Sequence, residues 1–306
     1  MTNGAFKSWC MAWEITVPPT EEPKSVENFL KKRFPIGYVR KLFRKKGVRL
    51  NGARAGPKEV ARAGDRIQLF IPFQKRARIT QERTSPRGFE ILFEDDDLIL
   101  INKRAGIAVH EGKGILKSHS LLGMLEATYR PRGLIPRLVH RIDKDTSGLL
   151  VAAKNESIAD ELEKRFEEGQ IEKEYLALVV GHPHPKEGRI DFPLPGRDEK
   201  PVSALTSYKV EKEFSETALV RVRIATGRMH QIRLHFAKLG HPVVMDDEHG
   251  DFGFNKRFRK AHHLKRQFLH ACDIAFEHHG KKRKWLAPLT EDLLQTLDSL
   301  ESQKPS

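Results

Sequence analysis

Apolar residues recur at helical spacing twice near the start of the chain. Phe29, Leu30 and Phe34, then Val39, Leu42 and Phe43, flank Pro35-Ile36-Gly37, so the pattern predicts two short helices with a break between them. Val48-Arg49-Leu50-Asn51-Gly52 reads as a short strand ending in a turn. Residues 66–71 alternate like a half-buried strand after the Gly64-Asp65 turn. Together these predict a small α/β module over residues 1–73, followed at 74–88 by a polar, basic linker without apolar periodicity. A different pattern starts at Phe89. Residues 91–93 and 98–101 are predicted strands around an acidic turn, Ser118 is the expected cap of a helix carrying Leu121, Leu122 and Leu125, and residues 149–153 are a buried strand. Ile158, Leu162 and Phe166 mark an amphipathic helix stopped by Gly169, while residues 175–180, 218–224 and 269–276 are further strands. Residues 301–306 read as a frayed tail. Helices and strands mix without regular βαβ alternation. The expected class is α+β, with a mixed, largely antiparallel sheet over residues 89–300 behind the small α/β module.

Composition narrows what such a chain can do. It has 306 residues, 39% hydrophobic and 31% charged, enough for an ordinary core. No apolar run approaches the roughly 20 residues needed to cross a bilayer. Trp9-Cys10-Met11-Ala12-Trp13 is broken by Glu14 and no cleavage site follows it, so no signal peptide and no membrane partner are expected. Only two cysteines occur, Cys10 and Cys272, which excludes a disulfide framework or a thiolate-built zinc site and points to a cytoplasmic, reducing setting. The net charge is +14, and +9 of it falls within residues 24–49. Arg33, Arg40, Lys41, Arg44, Lys45 and Lys46 in that stretch are candidates for phosphate contacts, which makes a polyanion the expected partner.

Two polar segments stand out as places for chemistry. His140-Arg141-Ile142-Asp143-Lys144-Asp145-Thr146-Ser147-Gly148 runs directly into an apolar strand, where a carboxylate is held rigidly and still able to face a cleft. A turn bonded to its own backbone is the plainer reading, and alternation in extended chain allows either Asp143 or Asp145 to face the cleft. Thr226-Gly227-Arg228-Met229-His230-Gln231-Ile232-Arg233-Leu234-His235 leads into a helix whose Arg233 is able to reach across to a carboxylate and keep it ionised; a solvated basic helix end is the alternative. Histidines are numerous, but the His230/His235 spacing does not match a helical ligand pair, so no metal is expected. Phosphate-cradling and dinucleotide glycine loops are absent, as is G-x-S-x-G.

Taken together, these two segments, with Glu172-Lys173-Glu174-Tyr175-Leu176-Ala177, Gly240-His241-Pro242, Leu269-His270-Ala271 and Ala287-Pro288-Leu289, resemble the RluA-type family of RNA pseudouridine synthases. Asn102-Lys103-Arg104-Ala105-Gly106 resembles the first segment of that catalytic domain, with Arg104 where a Pro is usual. Residues 24–73 resemble the S-four-type RNA-binding module, with Ser25-Val26-Glu27 where Arg-Leu-Asp is customary. The resemblance implies isomerisation of uridine to pseudouridine in structured RNA, ribosomal in preference to transfer RNA, without a cofactor. It implies that Asp143 is the essential carboxylate, acting by attack on the sugar or by removing a sugar proton, and that Tyr175 packs on the uracil and helps remove the carbon 5 proton. Arg233 would pair with Asp143, Leu269 would line the base pocket, and Arg141, beside His140, would fill the stack left by a flipped uridine. Two rival readings remain: a non-catalytic RNA-binding or ribosome-assembly factor on the same fold, and a glycoside-cleaving hydrolase using Asp143 with Asp145.

Overall fold

The computed structural model describes residues 9–34, 36–44, 46–72, 88–112, 114–196 and 200–302. The chain divides into two units, Met1–Glu82 and Arg83–Ser306.

In the first unit, β1 (Trp9–Thr16), β6 (Arg66–Pro72), β3 (Val48–Leu50) and β4 (Ala53–Arg54) form an antiparallel sheet in the order β1-β6-β3-β4, and β2 (Lys24–Ser25) pairs with β5 (Val60–Ala61). Helices α1 (Val26–Lys31) and α2 (Ile36–Arg44) lie on either side of the expected break. Their apolar stripe is buried: Phe29, Leu30, Phe34, Val39 and Leu42 form the interior with Val48, Ile67 and Leu69. Ser25 caps α1 by accepting the Asn28 amide at 3.3 Å. The broken apolar run at the start of the chain is β1, an edge strand with Ile15 opposite Ile67 and Thr16 opposite Arg66. Lys45, the Lys41 side chain and, apart from Gly88, the residues expected to form a linker lie outside the described residues.

The second unit is built on one large sheet. Its path runs β12 (Glu187–Ile190), β15 (Thr206–Glu213), β16 (Thr217–Ile224), β11 (Glu172–Val180), β17 (Leu269–His278), β10 (Ser147–Ala153), β8 (Leu98–Lys103), β7 (Phe89–Glu94), with β18 (Lys281–Leu286) on β17 and β9 (Arg137–Leu138) on β10. Every pairing in it is antiparallel except β10 with β17. A separate hairpin joins β13 (Leu194–Pro195) and β14 (Pro201–Val202). The sheet is mixed and largely antiparallel, as the α+β expectation required.

Both faces of this sheet are covered, which is why β10 is apolar at nearly every position. Leu150 and Ala152 face one core, with Leu121, Leu125 and Tyr129 of α3 (Leu121–Tyr129) and Ile232 and Phe236 of α5 (Gln231–Lys238). Leu149, Val151 and Ala153 face the other, with Ala159 and Leu162 of α4 (Glu156–Glu167). Asn155 caps α4, accepting the Ile158 amide at 2.9 Å, and Gly169 ends it in the left-handed conformation. Two local expectations need correction. Ser120, not Ser118, caps α3, because Lys117–His119 forms a 3-10 turn that delivers the Ser120 hydroxyl to the Gly123 amide at 3.1 Å. The tail starts later than Glu301, since α7 (Glu291–Ser302) continues through it and its carboxylate is anchored by the Lys212 ammonium; residues 303–306 lie outside the described residues. The remaining helix, α6 (Phe252–His262), contacts α7.

The one parallel pairing decides where the polar loop before β10 sits. Ser147 lies opposite His270 and Gly148 opposite Ala271, and at Gly148 the strands approach so closely that a Cβ would stand 2.1 Å from the Ala271 carbonyl oxygen. Its φ of +114° also disfavours any side chain. Gly148→Ala should therefore lower stability on the order of 3 kcal/mol, towards the upper end for single substitutions. Chemical denaturation with a midpoint like wild type would show that the two strands separate without loss.

Candidate active site

The loop of residues 140–146, entering β10, is pinned from several sides. The Thr146 amide donates to the Asp143 carbonyl at 3.2 Å, and the Thr146 hydroxyl accepts from Gln267 Nε2 at 2.8 Å. From below, fully buried Lys103 donates its Nζ to the carbonyls of Arg104 (2.9 Å), Ile107 (2.9 Å) and Lys144 (2.8 Å). Burial pulls its pKa down to about 7, against the upward pull of Asp145 and Asp143. Three carbonyls match the three donors of an ammonium, so this side chain ties the loop after β8 to the backbone between the two aspartates.

Asp143 then faces a cleft of about 270 Å³, and the other residues singled out from the sequence surround the same space. His140, Arg141, Tyr175, Arg233 and Leu269 all line it, as do Phe166, Lys173, Thr226, Arg228, His230 and Gln231. Asp145 does not line it. The loop turns between the two aspartates, so the alternation of extended chain does not hold there. Arg141 is exposed at the rim. His140 Nε2 accepts the Val151 amide at 3.0 Å and its ring stacks on Phe166 with centroids 4.4 Å apart. Burial first, and the positive Lys173 second, push its pKa down to about 3. His140 therefore offers a neutral ring wall, its acceptor nitrogen already engaged.

Tyr175 and Leu269 come from the neighbouring strands β11 and β17 and are 7% and 3% exposed. Burial, reinforced by the negative Asp143, raises the Tyr175 hydroxyl above its ordinary pKa, so it stays a phenol at neutral pH. Lys173, two residues earlier on β11, also lines the cleft, its pKa brought down to about 8 by burial. Once the resemblance places Tyr175 at the cleft, strand alternation would have found Lys173 beside it.

Arg233 sits on α5 with 4% of its surface exposed. The turn before α5 is closed by Gln231, whose Oε1 accepts from the Thr226 hydroxyl (2.7 Å) and the Arg228 amide (3.0 Å), while its Nε2 donates to the Leu205 carbonyl at 3.0 Å. Arg233 reaches Asp143 Oδ2 with Nη1 at 3.4 Å. Its bidentate partner, however, is Asp246: Nε to Oδ2 at 2.6 Å and Nη2 to Oδ1 at 2.7 Å. Burial would raise the Asp246 carboxyl, but Arg233 and the His249 and Glu248 amides outweigh it and hold the group below its ordinary value. Asp246 is a site residue that the sequence reading missed.

The histidines of the same segment part company. His235 turns away to the Thr206 hydroxyl (2.9 Å) and the Phe192 carbonyl (2.9 Å). His230, held at φ 51°, stays at the cleft with Nε2 3.9 Å from Asp143 Oδ1 and Nδ1 3.1 Å from His249 Nε2. With Glu248 these two histidines are one of two groups among the described residues with three potential metal ligands close together; the other is Asp95, His278 and His279. Arg233 Nη2 lies 3.3 Å from the Glu248 carboxylate, a positive charge that works against a cation there.

Residues 97–238 match the family profile described as RNA pseudouridylate synthase. Along its length the chain is similar to the ribosomal large subunit pseudouridine synthase C of Pasteurella multocida, 33% identical over 95% of both chains. It is similarly related to the protein of the same name from Escherichia coli (strain K12), 33% identical over 95% of this chain and 97% of the other. Among solved structures, the human RNA Pseudouridylate Synthase Domain Containing 4 shares the fold with a TM-score of 0.60 at 24% identity, covering 69% of this chain and 92% of that one. Identity at the level of 33%, sustained over nearly the full length of both bacterial relatives, leaves one assignment: this chain belongs to the RNA pseudouridylate synthase family and is an isomerase.

Proposed function

We propose that the chain converts uridine to pseudouridine in ribosomal RNA of the large subunit, the substrate named for its bacterial relatives, and that it does so in the cytoplasm. No helix among the described residues is long and apolar enough to cross a membrane. The observation that carries the reading is the convergence of Asp143, Tyr175, Arg233 and Leu269 on one cleft from four separate elements. The reaction breaks the bond between uracil N1 and ribose C1′, turns the base and joins C5 to C1′; the C5 proton leaves and N1 regains one. Nothing is oxidised and no group is donated.

In this reading the target uridine flips out of its stack, at a cost of a few kcal/mol, and Arg141 at the rim takes its place. Asp143 acts on the ribose through its carboxylate, oriented by one contact from Arg233. Tyr175 and Leu269 hold the freed uracil between them. As a phenol, Tyr175 donates a hydrogen bond to the base, and its ring limits how far the uracil moves while it turns. The first unit adds backbone affinity: Arg40 and Arg44 on α2 are exposed. Arg33 is less available, because its guanidinium lies 3.7 Å over the Phe29 ring and donates to the Phe29 carbonyl at 3.1 Å. A non-catalytic factor would not need a carboxylate, a phenol and a buried arginine around one cavity.

Two substitutions test the site. Asp143→Asn keeps the shape and removes the charge, so turnover should vanish while RNA affinity stays near wild type. Asp145→Asn should keep most activity, any loss tracing to about 1 kcal/mol of loop stability. Release of tritium from RNA labelled at uridine C5 measures both; an active Asp143→Asn protein would remove Asp143 from the chemistry, and free uracil as product would revive the hydrolase.

Asp246→Asn should act through Arg233. Losing one member of a buried pair costs about 3 kcal/mol at neutral pH, and kcat should fall at least about tenfold as Arg233 is re-aimed. Because the folded Asp246 carboxyl titrates below its unfolded value, its stabilisation is complete above about pH 4 and is lost as pH falls through the lower folded value. Denaturation curves should therefore show this acid-side loss in wild type and not in the variant. Equal stabilities at pH 7 would mean that Arg233 does not depend on Asp246.

A further inference from the structure

Between Asp251 and Asp273 the chain contains no acidic residue, yet it carries Lys256, Arg257, Arg259, Lys260, Lys265 and Arg266. Four of these lie on α6, and Lys256, Arg257, Arg259 and Lys260 are all exposed. Phe254 and Phe258 turn the other way, stacked with centroids 5.5 Å apart, and His262 bonds the Ser299 hydroxyl of α7 at 2.9 Å. The helix thus buries an aromatic stripe and shows solvent a face of cations.

This face is not compensated from within. Among the described residues none of the four has a carboxylate within 4.0 Å. Some exposed cations of the same unit are matched, as Lys186 is by Glu213 at 2.6 Å and Lys209 by Glu187 at 3.1 Å, and others such as Arg104 and Arg189 stand singly; α6 differs in carrying four on one helix. On α6 the spacings are repulsive instead, with Lys256 four residues before Lys260 and three before Arg259, and Arg257 three before Lys260. The helix dipole favours Arg259 and Lys260 in the last turn, but it offers nothing to Lys256 and Arg257 in the second. A self-repelling array is relieved when an external polyanion lies along it.

Both ends of the segment are tied to the residues around Asp143. At the start, Asn255 accepts the Met245 amide and donates to the Asp246 carbonyl, each at 2.8 Å, and Asp246 grips Arg233. Beyond the helix, Arg266 donates to the Asp145 carbonyl and the Ser147 hydroxyl, each at 3.2 Å. A strand held on α6 is therefore held in fixed register with the cleft.

We propose that the exposed face of α6, centred on Lys256 and Lys260, is a phosphate-binding surface of the catalytic unit that seats the RNA backbone next to the cleft. The proposal deepens the reading of the chain as an RNA-modifying enzyme and rests on it. An anionic membrane is the less fitting partner, since an interfacial helix inserts a broad apolar face, whereas Phe254 and Phe258 are packed inside and Phe252 alone of the phenylalanines on α6 is exposed.

The test uses the full chain with Lys256→Gln/Lys260→Gln, a large-subunit ribosomal RNA fragment, and phosphatidylserine vesicles as comparator. Losing two phosphate contacts should lower the slope of log K against log salt by about 1.4–1.8. KM should rise on the order of tenfold at physiological salt, with kcat at saturating RNA unchanged and the melting temperature no lower than that of wild type, since the substitutions also relieve like-charge repulsion. Lys256→Arg/Lys260→Arg should restore slope and KM, which a purely structural role of the lysines would not require. An RNA slope equal to wild type overturns the proposal, and loss of vesicle binding with that unchanged slope would assign the face to a lipid surface. If wild type forms no pseudouridine in this RNA while the slope still falls in the variant, the surface stands and the choice of substrate falls.

Discussion

A guanidinium taken out of water has to be matched by carboxylates, and much of the site follows from how Arg233 is matched. Asp246 satisfies two of its nitrogens and Asp143 touches a third from farther away. Asp246 also accepts the Glu248 and His249 amides, so the turn leading to α6 takes its shape from the same carboxylate. Breaking such a buried pair costs about 3–5 kcal/mol, a large part of the roughly 5–15 kcal/mol that keeps a typical domain folded. The division of labour is economical in charge. The close partner keeps Arg233 ionised and rigid, while the distant one, half open to the cleft, is left with lone pairs free for a ribose.

What was legible in the sequence was whatever leaves a periodic trace. The stripe of Ile158, Leu162 and Phe166 locates α4, and the unbroken apolar run of β10 announces a strand covered on both faces. The order of the polar motifs was enough to bring Asp143, Tyr175, Arg233 and Leu269 to one cleft. Asp246 was not legible, because a bidentate pair across 13 residues is a tertiary fact with no period. Lys103 was hidden for a related reason: a lysine at a strand end reads as surface, and only the convergence of three carbonyls makes it an interior residue. Alternation left Asp143 and Asp145 open because the chain turns between them, whereas the order of the motifs singled out Asp143, the one that lines the cleft. Strand β15 was missed although Thr206 and Tyr208 alternate inward, since its lysines and glutamates dilute the pattern.

The short parallel ladder between β10 and β17 also sets an order of events. Ser147 and His270, bonded at 2.9 Å, are 123 residues apart, whereas β10 pairs with β8 across a much shorter loop. Loop closure and contact order both make the longer connection the later one. At about 5–20 residues per second of synthesis, the ribosome needs roughly 6–25 s to extend the chain from the first of these partners to the second. Throughout that time the loop bearing Asp143 can be laid against β8 and anchored by Lys103, while the strand bearing Leu269 does not yet exist. For that interval the nascent chain gains Tyr175 and Arg233 one after the other, and the wall of its cleft that carries Leu269 comes last.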